Sequence, residues 1–148
     1  ALRNLAVVAE REDRHDEARG LYERAWRAGP RTQSLAVEYA RSLSHAGEHA
    51  EVREFYASLG EELRENESLL LLDARAALET GDYDSVERTL QHEFVGVREG
   101  ANPLTDLWFG MHERRIAEAE GVPVDDALRA RVHREFPAPK SIDFRQKV

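Results

Sequence analysis

The chain has 148 residues and no cysteine, which excludes disulfides, thiolate catalysis and cysteine-ligated zinc. Charged residues make up 34% of it, and the longest aliphatic run, Leu69 to Leu72, falls far short of the roughly 20 residues a membrane helix needs. These features predict a soluble, cytoplasmic protein with no membrane partner, and the net charge of −8 argues against a phosphate-binding surface, so no nucleic acid partner is expected unless the arginines segregate.

The chain opens with "ALRNLAVVAE", already helical in pattern and without Met, which predicts a piece of a longer protein. Leu2, Leu5, Ala6 and Ala9 mark one face of a first helix, and Ala18, Leu21, Tyr22 and Ala25 mark a second. The polar "REDRHDE" between them is a turn, and Gly29-Pro30 stops the second helix. Leu35, Ala36, Tyr39, Ala40 and Leu43 form a third face, followed by a turn at Gly47. Val52, Phe55, Tyr56 and Leu59 form a fourth face, which ends near Gly60.

Glu61, Glu62, Glu65 and Glu67 make an acidic run that reads as a solvated loop. Asn66 is a good N-cap for a helix that runs through "ESLLLLDARAALE" to Gly81. Tyr83, Val86 and Leu90 carry the next helix. "FVGVREGANP" then reads as a linker, with Asn102-Pro103 starting another helix because Pro at the first helical position loses no hydrogen bond. Leu104, Leu107, Trp108 and Met111 stripe that helix as far as Gly121. Val124, Leu128, Val132 and Phe136 stripe a last one, with Asp125 and Asp126 at its positive end. The tail after Pro137 carries no helix signal, and Ile142 and Phe144 are its apolar anchors.

Asp13, Gly47 and Gly81 recur 34 residues apart, within "EREDRHDEARGLY", "LSHAGEHAEVREFY" and "LETGDYDSVERTL". Ala6, Ala40 and Ala74 recur at the same spacing, as do Ala18, Val52 and Val86, and Tyr22, Tyr56 and Leu90. The pattern over residues 1–93 resembles the tetratricopeptide repeat family, with departures at Asp13, Val52, Leu59, Val86, Leu90 and Glu93, and with the closing Pro present only as Pro30. The segment from "LWFGMHERRIAEAEG" to "FPAPKSIDFR" also looks like the C-terminal end of long, uncharacterised bacterial proteins that carry such repeats behind a β-rich region.

The resemblance implies an all-α, right-handed solenoid of about three helix pairs over residues 1–95. Diverged capping helices would follow a linker over 96–136, with an extended tail over 137–148. It implies a binding scaffold whose concave face is lined by the first helix of each pair. On this chain that face carries Arg3, Val7, Val37, Arg41, His45, Leu71, Arg75 and Leu78. Arg41 and Arg75 hold equivalent places, and a guanidinium pair could take a carboxylate, with Leu71 and Leu78 as an apolar pocket beside Arg75. That suits a protein or an extended peptide with an acidic group and an apolar anchor. Ordinary surface pairing is the competing reading: Arg41 with Glu38 or His45, and Arg75 with Asp73 or Glu79.

The set of Asn, Lys and Arg groups by which some members clasp a peptide C-terminus is absent. Three roles stay open: an interaction scaffold, a structural or self-associating module with an exposed N-terminal face, and an accessory domain of a carbohydrate-active enzyme. His45 and His49 are four apart but straddle Gly47, and His112-Glu113 lacks a second His at Ile116, so no metal is expected. Trp26 and Trp108 read as packing residues. No phosphate loop, nucleophile elbow or carboxylate pair appears, so neither catalysis nor a cofactor is expected.

Overall fold

A computed structural model of the chain describes residues 1–96 and 103–143. Its described residues form helices joined by turns, without strands: α1 (Leu2–Arg11), α2 (His15–Ala28), α3 (Gln33–His45), α4 (His49–Ser58), α5 (Glu61–Arg64), α6 (Glu67–Thr80), α7 (Tyr83–Leu90), α8 (Pro103–Glu120) and α9 (Asp126–Glu135). The protein is all-α in these residues. Pro103 opens α8 as expected. The linker residues 97–102, with the Asn102 reading, and the tail residues 144–148, with Phe144, lie outside the described residues.

Backbone chemistry at the turns explains why the helices stop where they do. Asp13, Gly47 and Gly81 adopt φ of 59°, 76° and 83°, the left-handed conformation that lets a helix reverse at its C-terminus. Their N–H groups donate to the carbonyls of Glu10, Ser44 and Leu78. The next N–H groups, of Arg14, Glu48 and Asp82, donate to Ala9, Leu43 and Ala77 at 2.9, 2.9 and 2.8 Å. The carbonyls of Arg14, Glu48 and Asp82 then accept from Ala18, Val52 and Val86, the first hydrogen bonds of the following helices. Every donor and acceptor recurs 34 residues later, so the three turns are the same structure built three times.

Side-chain caps hold the other ends. Asn66 Oδ1 accepts from Leu69 N at 3.1 Å, as its place in the sequence predicts, and Thr32, Asp82 and Asp125 cap α3, α7 and α9 in the same way. The acidic run departs from expectation. Glu61 and Glu62 are exposed, but they start the one-turn helix α5, because two carboxylates at a helix N-terminus offset the dipole.

Contacts divide the chain into two compact units, Ala1–Ala76 and the residues from Ala77 onward, with the division inside α6. In the first unit α1 packs on α2, α2 on α3 and α3 on α4. Fully buried Ala6, Ala9, Ala18 and Ala36 are small enough for close helix approach. Around them sit Tyr22, Trp26, Leu35, Leu43, Val52, Phe55, Leu59 and Leu69. Trp26 meets Phe55 edge-on at 5.1 Å, and Tyr39 lies 4.7 Å from the same ring.

In the second unit α7 packs on α8 and α8 on α9. Val86, Leu104, Met111 and Val132 are fully buried, and Ile142 of the tail is also buried. Each such side chain contributes about 1.5–3 kcal/mol of apolar burial before entropy is subtracted.

Candidate functional site

The 34-residue register sorts the exposed side chains of α1, α3 and α6 into rows. Arg3, Val37 and Leu71 form one row, and Val7, Arg41 and Arg75 the next. Val7, Val37 and Leu71 are half-buried, while Arg41, Arg75 and His45 are exposed. Arg3 is engaged: its Nε donates to Glu38 Oε2 at 2.8 Å and its Nη2 to Glu38 Oε1 at 2.6 Å. Glu38 is therefore paired with Arg3 and not with Arg41. Arg41 and Arg75 have no hydrogen bond or ion pair among the described residues. The chain is strongly acidic, yet two equivalent guanidinium groups in its first unit keep their donors for solvent or a ligand.

Leu78 corrects the expected pocket. It is 9% exposed, in the second unit, and its Cδ2 lies 3.2 Å from where a side chain would begin on Gly110 of α8. The helical pattern places Leu71 and Leu78 on one face, but α8 covers Leu78 and it cannot anchor a ligand beside Arg75. Of the predicted set, Arg3, Val7, Val37, Arg41, His45, Leu71 and Arg75 belong to the first unit. His45 closes α3 and His49 opens α4, with Gly47 between them at a positive φ, so they do not share a helical face.

The register places Glu10 on the same predicted concave face as Arg3 and Val7, but the sequence does not indicate its partners. Its Oε1 accepts from the buried Ser42 hydroxyl at 2.8 Å, and its Oε2 lies 3.0 Å from His15 Nδ1. This link joins α1 to α3 across 32 positions, a separation that no local pattern signals.

The second unit holds a cleft of about 480 Å³ lined by Leu90, Phe94, Trp108 and Ile142 together with Glu87 and Glu93. Trp108 is engaged there: its Nε1 donates to the Phe136 carbonyl at 2.9 Å, in keeping with a packing role. His112 sits one helical turn on. Its ring stacks on Phe136 at 4.3 Å and meets Trp108 edge-on at 4.5 Å. Burial, with Arg115 adding to it and Glu87 opposing, lowers the His112 pKa, and its Nε2 has no hydrogen-bond partner. An imidazole held neutral among aromatic rings is apolar packing with one idle nitrogen.

A shallower hollow of about 400 Å³ is lined by Thr80, Tyr83, Arg114, Glu118 and Val124. Its polar groups satisfy one another. Tyr83 donates to Glu118 at 2.6 Å, and Arg114 donates to the Leu78 carbonyl at 2.9 Å and to Glu79 at 3.0 Å. Burial first, and then the Glu118 hydrogen bond, push the Tyr83 pKa up to about 12.

No family model matches the chain, and no solved structure matches it. The chain is 34% identical over 90 residues to the homeobox protein SIX6 of Gallus gallus, and 33% identical over 90 residues to homeobox protein SIX6 of Homo sapiens and of Mus musculus. Each alignment covers 60% of this chain and 36% of the relative, so the chain spans about a third of the length of these relatives.

This similarity overturns one expectation. The relatives carry the name of homeobox proteins, which points to nucleic acid, so nucleic acid is not excluded as a partner. The exclusion rested on a net charge of −8 summed over the chain. Net charge does not fix local charge, and Arg41 and Arg75 stand without carboxylate partners among the described residues. No helix of the described residues is long and apolar enough to cross a membrane.

Proposed function

We propose that the chain is a non-enzymatic scaffold of tetratricopeptide type, a right-handed helical solenoid that binds a polypeptide on the face lined by α1, α3 and α6. The observation that carries this reading is the threefold recurrence of one turn, donor for donor, at a 34-residue spacing. Helix pairs that repeat in this way bury their apolar faces by stacking on their neighbours and leave a continuous ligand face along the first helices. The burial of Ala6, Ala40 and Ala74 at 0%, 2% and 0% supports it, since these are the places where the family keeps a small residue for close helix approach. Val52 and Val86 depart from the family's small residue, and both are nonetheless buried.

The binding row is Val7, Arg41 and Arg75 with Val37 and Leu71. Affinity capture with the wild-type chain and with Arg41→Glu/Arg75→Glu tests it. A polypeptide retained by the first and lost from the second supports the reading, and identical partners at identical yields overturn it.

A second reading is favoured by the homeobox similarity: the same two guanidinium groups meet phosphates of a nucleic acid. It predicts binding of a fluorescent DNA duplex that weakens steeply with salt and is lost in Arg41→Glu/Arg75→Glu. Absence of binding at 50 mM salt overturns it.

A further inference from the structure

α7 stops early. It ends at Leu90, which the 34-residue register aligns with Tyr22, whereas α2 runs on to Ala28. The register aligns Ala25 and Trp26, both buried on α2, with Glu93 and Phe94, which lie beyond the end of α7. Phe94 is still buried, but Glu93 is exposed. The cleft of about 480 Å³ lies where α7 has stopped, with Trp108 of α8 in its lining.

Several donors around this cleft are already spent. The N–H groups of Gln91 and His92 return to the carbonyls of Arg88 and Thr89, and the Ile142 N–H to that of Pro139. The Trp108 indole N–H is spent on the Phe136 carbonyl, so Trp108 offers a ligand ring surface and no donor. Leu90, Phe94 and Ile142 add apolar surface, and Glu87 and Glu93 add two carboxylates. Glu87 is shared with Arg115 at 3.1 Å, but Glu93 has no hydrogen bond or ion pair among the described residues. No Lys or Arg lines the cleft among those residues, and the exposed Lys140 stands outside it. The C-terminal end of α7 adds the negative pole of its dipole.

The other tryptophan of the chain has a cation of its own. Arg31 lies over Trp26 with its Cζ 5.3 Å from the ring centre, and its Nε donates to the Trp26 carbonyl. No cation lies over Trp108 among the described residues.

We propose that this cleft binds a small organic cation, an ammonium or guanidinium group carried on an apolar body, with its head at Glu93 and Glu87 and its body against Trp108, Phe94 and Leu90. Two carboxylates repel an anion, a neutral molecule draws nothing from Glu93, and a bare metal ion has no use for aromatic walls. The volume falls within the roughly 300–1,000 Å³ of small-molecule sites. The site lies wholly in the second unit, so it stands apart from the Arg41 and Arg75 row.

Calorimetric titration of the whole chain at pH 7 tests this with phenethylamine, against phenethyl alcohol and phenylacetate as its neutral and anionic counterparts. The expected result is a Kd below about 1 mM for the amine, roughly tenfold weaker binding of the alcohol and none of the acid at about 10 mM. Glu93→Gln, at an exposed position, should weaken the amine roughly three- to tenfold, and Trp108→Leu should abolish its binding while Trp108→Phe keeps most of it. Should Trp108→Leu fail to fold, the indole N–H resonances of the wild-type chain decide the same point: the amine should shift that of Trp108 and not that of Trp26. Alcohol or acid binding as tightly as the amine overturns the proposal, as does an affinity that Glu93→Gln leaves unchanged, or a shift confined to Trp26. No binding of the amine at about 10 mM also overturns it, including the case in which an acetyl-Gly-Arg-Gly-amide peptide binds instead, because the cleft would then serve a polypeptide.

Discussion

Arg3 and Glu38 clasp α1 to α3 through two parallel hydrogen bonds, Nε to Oε2 at 2.8 Å and Nη2 to Oε1 at 2.6 Å. The pair is open to water, where Coulomb attraction is weak and salt screens it. Arg3→Ala should therefore lower the melting midpoint slightly in dilute buffer and not at all in 1 M salt. A double-mutant cycle with Glu38→Ala measures the coupling, and a coupling that persists in high salt would contradict this account.

The repeated turn makes a prediction of opposite sign at equivalent positions. Gly47 and Gly81 have φ of 76° and 83°, and a side chain added at either would meet nothing within 4 Å. The cost of Gly47→Ala or Gly81→Ala is thus backbone strain alone, roughly 1–2 kcal/mol. Asp13 already bears that strain at φ 59°, so Asp13→Gly should stabilise the chain, by about 0.5 kcal/mol after the entropy glycine adds to the unfolded state. Urea denaturation of the three variants checks both signs.

Leu71 and Leu78 share a helix and a face but not a fate. Leu78 is packed against Gly110, so Leu78→Ala should cost about 2–4 kcal/mol. Leu71 is half-buried, and Leu71→Ala should cost about 1 kcal/mol or less. Equal losses in denaturant titration would mean that Leu71 is covered as well, and the ligand row would lose its apolar member.

His112 should make stability rise with pH below neutrality. Its pKa in the fold lies below the ordinary 6.5, so the unfolded chain binds the extra proton first. The stabilisation is full above about pH 6.5 and is lost as pH falls toward the folded pKa. His112→Phe keeps the stack on Phe136 and should flatten the pH dependence of the melting midpoint between pH 7 and pH 5. A His112 ring that titrates by NMR at or above 6.5 would rule this out.

Tyr83 gives the alkaline counterpart. With a folded pKa of about 12 against an ordinary 10, its contribution is complete below pH 10 and disappears as pH rises through 12. Tyr83→Phe should cost about 1 kcal/mol at pH 7, for a partly exposed hydrogen bond to a carboxylate, and should remove the phenol's share of the alkaline loss. Absorbance titration of the phenol against thermal melts checks both.

Most of the helix boundaries were readable from the residues. Gly47 and Gly81 mark reversals because left-handed geometry favours glycine there, and Asn66 marks a start because its oxygen serves an orphan N–H; both are local effects. The acidic run at Glu61 was misread as a loop because the favourable placement of carboxylates at a helix start is the same composition that solvates a loop. The candidate row was half legible. Register alone put Arg41 and Arg75 in equivalent places. It could not say that Glu38 turns to Arg3, or that Ser42 reaches Glu10, since those partners lie more than 30 positions away.

Sequence by itself determined the helical content, the 34-residue turn and the column each side chain occupies, because hydrogen bonding within a turn depends on a handful of neighbouring residues. Only the tertiary structure decided which residues in a column are free. Leu78 is covered by α8, Leu5 and Val8 are bare where Asp73, Ser42 and Ala76 are covered, and Arg41 and Arg75 are left without carboxylates among the described residues. Exposure and pairing depend on what lands on a helix face from elsewhere in the chain, and that is settled by packing.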